Sequence, residues 1–137
     1  MCRLLAVSSP AGFEAGPHLD AFTRLCAASR EYQGHGWGCA IRRDEGWELY
    51  KTVRPVWEDD FRPSGPVRQM VVHARSAFRD EGIAVENNMP FIRNGSAFIF
   101  NGEMHQVKIP VPGRTVADKL HHFGVVDVGG ENGAVST

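Results

Sequence analysis

A mixed α+β domain on a mainly antiparallel sheet is predicted by three features of the sequence. Short strand-like apolar runs dominate, one amphipathic helical stretch follows the first of them, and two runs are joined by a glycine-containing turn suited to a hairpin. The chain shows no internal repeat, and its 137 residues suit one domain. Residues 3–7 form an apolar run ended by Ser8, Ser9 and Pro10, which predicts a strand almost at the N-terminus. Over residues 17–33, Leu19, Phe22, Leu25, Cys26 and Ala28 recur at helical spacing, with Pro17 suited to the first turn and Gly34 to the position after the last. Residues 37–42 and 47–53 are strand-like and flank Arg43-Asp44-Glu45-Gly46, a hairpin connection. Residues 55–66 mix charge, proline and glycine without periodicity and read as a loop. Strand-like runs resume at 70–73, 90–92 and 96–100, the last ending at Asn101-Gly102. Residues 115–123 predict a short second helix, with Thr115 as N-cap and Asp118 three residues on. The domain is expected over residues 1–124, with a flexible glycine-rich tail at 125–137.

Composition narrows the function classes. Lys plus Arg number 15 against 16 for Asp plus Glu, and the signs are interspersed, so nucleic acid is not an expected partner. No signal-peptide pattern or membrane-length apolar run is present, which predicts a soluble, cytoplasmic protein without a membrane partner. Cys2, Cys26 and Cys39 are odd in number and lack CxxC spacing, which argues against a disulfide framework and a structural zinc site. His35 and Cys39 with His73 or His105 are the one set to weigh for a metal, but their spacing along strands is too wide to share an ion. No metal or cofactor is expected.

A cysteine at position 2 gains a special chemistry if Met1 is removed, because its own α-amine then lies beside its thiol. The two groups titrate near pH ~8 and ~8.5, so the amine can take the thiol proton near neutrality, directly or through water. The structural alternative is a small apolar residue starting a strand. Five segments bear on that choice: Met1-Cys2-Arg3-Leu4-Leu5, His35-Gly36-Trp37-Gly38, His73-Ala74-Arg75-Ser76-Ala77, Asn87-Asn88-Met89-Pro90-Phe91 and Phe100-Asn101-Gly102-Glu103. In this order and spacing, across about the first 120 residues, they resemble class II glutamine amidotransferase domains.

That resemblance implies an N-terminal-nucleophile (Ntn) hydrolase-like αββα sandwich, with Cys2 attacking the side-chain amide of glutamine to give ammonia and a glutamyl thioester. It implies that Arg75 grips the glutamine α-carboxylate, which a planar guanidinium does through two parallel hydrogen bonds. An arginine in an ordinary surface ion pair is the alternative. It also implies an oxyanion hole from the Asn101 amide and the Gly102 N–H, two placed donors that lower the barrier to attack on an amide. Asn-Gly after an apolar run equally describes a plain hairpin turn. His35 is expected to be structural rather than a base, and the glycines around Trp37 to let the backbone pass close to the nucleophile and ligand.

The chain departs from the family pattern at Phe78, where threonine is common, and at Met89, where histidine is usual. Val116 stands where an aspartate binds the glutamine amino group. Asp118, two positions on, is the expected replacement carboxylate if the local register shifts, since a regular helix turns it away by roughly 200°. The chain matches roughly the first two-thirds of the fold, which predicts an incomplete sandwich completed by homo-oligomerisation or a partner chain. Two functional readings remain open: a glutaminase or amidotransferase, and a catalytically impaired binding or regulatory module or split product that needs a second chain.

Overall fold

The computed structural model describes residues 1–77 and 82–102. They form strand β1 (Arg3–Glu14), helix α1 (Ala15–Ala27), then strands β2 (Trp37–Arg42), β3 (Trp47–Thr52), β4 (Pro66–Ala74), β5 (Phe91–Arg93) and β6 (Ser96–Phe98). A four-stranded antiparallel sheet has the order β1-β4-β2-β3, and β5 with β6 makes a separate antiparallel pair. Among the described residues the architecture is mixed α+β with antiparallel sheets and one α-helix. The predicted helix at 115–123, Val116, Asp118, Phe78 and the predicted tail at 125–137 lie outside the described residues. Among the described residues, no helix is long and apolar enough to cross a membrane.

Strand β1 runs past Pro10, where the sequence predicted its end. Its pairing jumps from Ser8 opposite Gln69 to Phe13 opposite Val67, five steps on β1 against two on β4. The excess bulges out, and it holds Pro10, which needs no ladder donor there, and Gly12 at φ +87°. Helix α1 stops six residues before the predicted end at Gln33. The Ala28 N–H closes on the Arg24 carbonyl at 3.1 Å, and beyond it no residue before Gln33 is buried to sustain another turn. Ala15, Leu19, Phe22 and Cys26 are buried at spacings of four, three and four residues, whereas Leu25, expected on that face, is 61% exposed.

Strand alternation divides the core between the two faces of the sheet. Trp37, Cys39 and Ile41 of β2 and Met70, Val72 and Ala74 of β4 pack against α1. Ala40 and Val71 face the other way, against Met89, Phe91, Ala97, Phe98 and Ile99. The β5–β6 pair that builds this second layer turns at Asn94-Gly95, with φ of +50° and +76°, an Asn-Gly hairpin. The connection between β3 and β4 is fastened by Asp59. Its carboxylate accepts hydrogen bonds from Trp37 Nε1 (2.9 Å), the Tyr50 hydroxyl (2.6 Å) and the Phe61 N–H (3.1 Å), while Phe61 stacks on Tyr50 at 3.9 Å.

Candidate functional site

Pairing register gathers three of the five sequence segments, around Cys2, Gly36 and Arg75, at one end of the four-stranded sheet, and side-chain hydrogen bonds of Asn88 and Asn101 bring in the other two. Arg3, Ala74 and Trp37 stand opposite one another, so Cys2, Arg75 and Gly36 fall in the next row out. Pairing continues there: the Arg75 N–H donates to the Gly36 carbonyl at 2.9 Å and the His35 N–H to the Arg75 carbonyl at 3.1 Å. The chain then turns across the end of β1, and the Ser76 N–H donates to Cys2 Sγ at 3.3 Å, with Sγ 3.8 Å from the Ser76 carbonyl. His35 Nδ1 accepts the Ala77 N–H at 2.8 Å, so this histidine shapes the turn that holds the sulfur.

Asn101 reaches the same place from the end of β6. Its Oδ1 accepts the Cys2 N–H at 3.2 Å and its Nδ2 donates to the Cys2 carbonyl at 3.0 Å, closing both ends of the amide on the Cys2 backbone. One Nδ2 hydrogen serves that bond, and an amide nitrogen carries a second. Gly102 follows at φ +149°, where a side chain would be strained and a Cβ would come within 3.3 Å of the Phe100 ring.

Arg75 is half-buried and donates to the Gly82 carbonyl at 2.7 Å and, more weakly, to Asn88 Oδ1 at 3.4 Å. Burial draws its pKa below the ordinary arginine value, and the neighbouring Cys2 works in the opposite direction. Asn88 is fully buried, donates to the Thr52 carbonyl at 2.9 Å, and accepts from Lys51 Nζ on its own carbonyl at 3.0 Å. The glycines of the second motif make room for this loop. A Cβ on Gly36 would stand 2.1 Å from Asn88 Nδ2, and one on Gly38 2.2 Å from the Met89 carbonyl, so the close approach is to residues 88–90 rather than to the nucleophile. Met89 also keeps a polar contact, because its sulfur accepts the Phe100 N–H at 3.2 Å.

Of the three thiols, Cys2 is the accessible one. Burial pushes Cys26 up to about 11 and Cys39 up to about 12, outweighing the lowering effects of Arg3 and Arg62. The metal set considered from sequence is divided by the sheet, since Cys39 faces α1 while His73 points to the opposite face. His105 and Asp118 lie outside the described residues.

Two groups near Cys2 carry no sequence signal. The Ser76 N–H is a backbone donor, invisible in residue identity. Gln33, predicted within the helix, instead lies in the connection to β2, is 2% exposed, and donates from Nε2 to the Met1 carbonyl at 3.0 Å. Its Oε1 has no partner among the described residues. Met1 itself is 71% exposed, with its ammonium on the Glu31 carboxylate. No protein-family model matches the chain, and no curated protein matches it.

Proposed function

We propose that this chain is a glutaminase-type domain of the class II glutamine amidotransferases, folded as part of an Ntn-hydrolase-like αββα sandwich, with Cys2 as its nucleophile. The observation that carries the reading is the meeting of two distant segments on Cys2: the Ser76 N–H lies 3.3 Å from its sulfur with Arg75 in the same row, and Asn101 bonds both of its backbone groups. The reading requires removal of Met1, which its exposure permits.

The freed α-amine takes the Cys2 proton, and the thiolate adds to the side-chain amide carbon of glutamine. Asn101, through its second amide hydrogen, and the Gly102 N–H stabilise the oxyanion. The carbon–nitrogen bond then breaks, the α-ammonium returns its proton to the departing nitrogen, and ammonia leaves a glutamyl thioester that water hydrolyses to glutamate. Arg75 holds the substrate α-carboxylate. Asp118 is the carboxylate proposed for the substrate ammonium. No cofactor enters the reaction. We place the protein in the cytoplasm, with the sandwich completed by a second copy or a partner chain.

Ammonia release from glutamine is the test. Cys2→Ala abolishes it, and Arg75→Lys raises KM because a point charge cannot reproduce the bidentate grip. Full turnover in Cys2→Ala would rule the mechanism out. Val116 and Phe78, which stand where the family pattern has aspartate and threonine, favour a second reading, a binding or regulatory module without turnover. In that case calorimetry shows glutamine binding while no ammonia is released.

A further inference from the structure

Resting on the functional reading above, we propose that Gln33 is a positioning residue for the α-amine of Cys2, accepting a hydrogen bond from it on the side-chain carbonyl once Met1 is gone. Gln33 is almost fully buried, yet its Oε1 has no partner among the described residues, and its single bond runs from Nε2 to the Met1 carbonyl at 3.0 Å. A buried carbonyl without a donor is rare and calls for an explanation.

The explanation lies in what hydrolysis of the Met1–Cys2 bond does. Water adds across the peptide, Met1 departs with its carboxyl group, and Cys2 is left with a free amine. The Met1 carbonyl oxygen and the Cys2 nitrogen are bonded to the same carbon, roughly 2.2 Å apart from standard bond lengths, so Gln33 Nε2, 3.0 Å from that oxygen, lies within about 5 Å of that nitrogen. Cleavage removes the acceptor of Nε2 and creates a new donor in its place. A half-turn of the Gln33 amide then presents Oε1 to the amine and satisfies the carbonyl that had no partner.

Hydrogen counting gives the arrangement its catalytic sense. A neutral amine has two N–H groups and one lone pair. Asn101 Oδ1 already accepts from the Cys2 nitrogen at 3.2 Å, and Gln33 Oε1 takes the second N–H. The lone pair is left for the thiol proton, on a sulfur that the Ser76 N–H fixes from the other side at 3.3 Å. Gln33 touches no substrate atom in this scheme; it directs the base.

The experiment uses purified full-length protein whose Met1 removal is verified by intact mass. It follows the rate of Cys2 alkylation by iodoacetamide between pH 5 and 9 in wild type, Gln33→Leu and Gln33→Glu, with thermal unfolding as the folding control. Gln33→Leu lowers the rate at neutral pH by roughly tenfold, the worth of one hydrogen bond to a charged group. Gln33→Glu keeps an acceptor but adds a charge that holds the amine proton more tightly. The midpoint of its pH profile rises by about one unit, and its rate recovers above that midpoint. A Gln33→Glu profile that coincides with wild type overturns this proposal and leaves the functional reading intact; it decides the matter even if Gln33→Leu fails to fold. Wild type that retains Met1 overturns both. A Gln33-dependent profile in a protein that releases no ammonia from glutamine overturns the substrate assignment and upholds the role of Gln33.

Discussion

Acid sensitivity can be traced to one side chain. His73 stands on β4 between Leu4 of β1 and Gly38 of β2, is 0% exposed, and has no hydrogen-bond partner on either ring nitrogen among the described residues. Burial pushes its pKa from 6.5 down to about 3, and the Arg75 cation acts in the same direction. The Phe100 backbone opposes this from nearby, without meeting hydrogen-bond geometry to the ring. The unfolded chain therefore binds a proton near pH 6.5 that the folded protein refuses until about pH 3. Stability from this group is complete above the unfolded value and drains as pH falls between the two, at about 1.4 kcal/mol per unit. Between pH 7 and pH 5 the loss comes to about 2 kcal/mol, a large share of the 5–15 kcal/mol typical of a domain. His73→Leu removes the titrating group and both unpartnered nitrogens while keeping an apolar volume in place. Urea unfolding at the two pH values should show wild type losing about 2 kcal/mol more than the variant. Equal losses in the two proteins would refute the assignment, whatever the carboxylates contribute to both.

Three further outcomes are expected. Gly38→Ala drives a Cβ to within 2.2 Å of the Met89 carbonyl, a backbone atom that cannot swing aside. It should cost about 2 kcal/mol and lower Tm by roughly 10 °C in a melting experiment; an unchanged Tm would contradict the packing described. Asp59→Ala strands the Trp37 indole N–H and the Tyr50 hydroxyl, with an expected cost of about 2–4 kcal/mol. Tyr50, pushed up to about 12 by burial first and by Asp59 second, should then titrate part of the way back toward the ordinary phenol range in an ultraviolet pH titration. Iodoacetamide should modify one cysteine in the native protein and three in denaturant, because burial holds the Cys26 and Cys39 thiols protonated; a second native adduct by mass spectrometry would contradict that.

How far the sequence revealed this structure depended on whether a feature repeats. Strand β2 was legible to the residue, because Trp37–Arg42 is bounded by glycine-rich and turn residues and alternates between two buried faces. The β2–β3 turn was equally plain, with Gly46 at φ +58°. The end of α1 was not, since Tyr32 and Gln33 extend a helical-looking pattern while the burial that sustains a helix stops at Cys26. Two Asn-Gly pairs look alike in sequence, and only the pairing of Phe91 with Phe98 marks Asn94-Gly95 as a hairpin turn. At the site, Cys2, Arg75 and Asn101 were legible as side chains in ordered motifs, and the structure brings them together. The Ser76 donor and Gln33 were not, because a backbone N–H and a polar residue in a connection leave no periodic trace. The glycines flanking Trp37 read as sites of close approach, but what approaches is the Asn88 side chain and the Met89 carbonyl, which only tertiary packing could specify.

The measurement that bears most directly on the central claim is an intact-mass spectrum of the purified protein before and after incubation with an electrophilic glutamine analogue, with Cys2→Ala as control. Loss of Met1 together with a single adduct that is absent from Cys2→Ala is the result expected of a competent nucleophile in a glutamine-shaped site. A correctly folded, processed protein that takes up no adduct would contradict it.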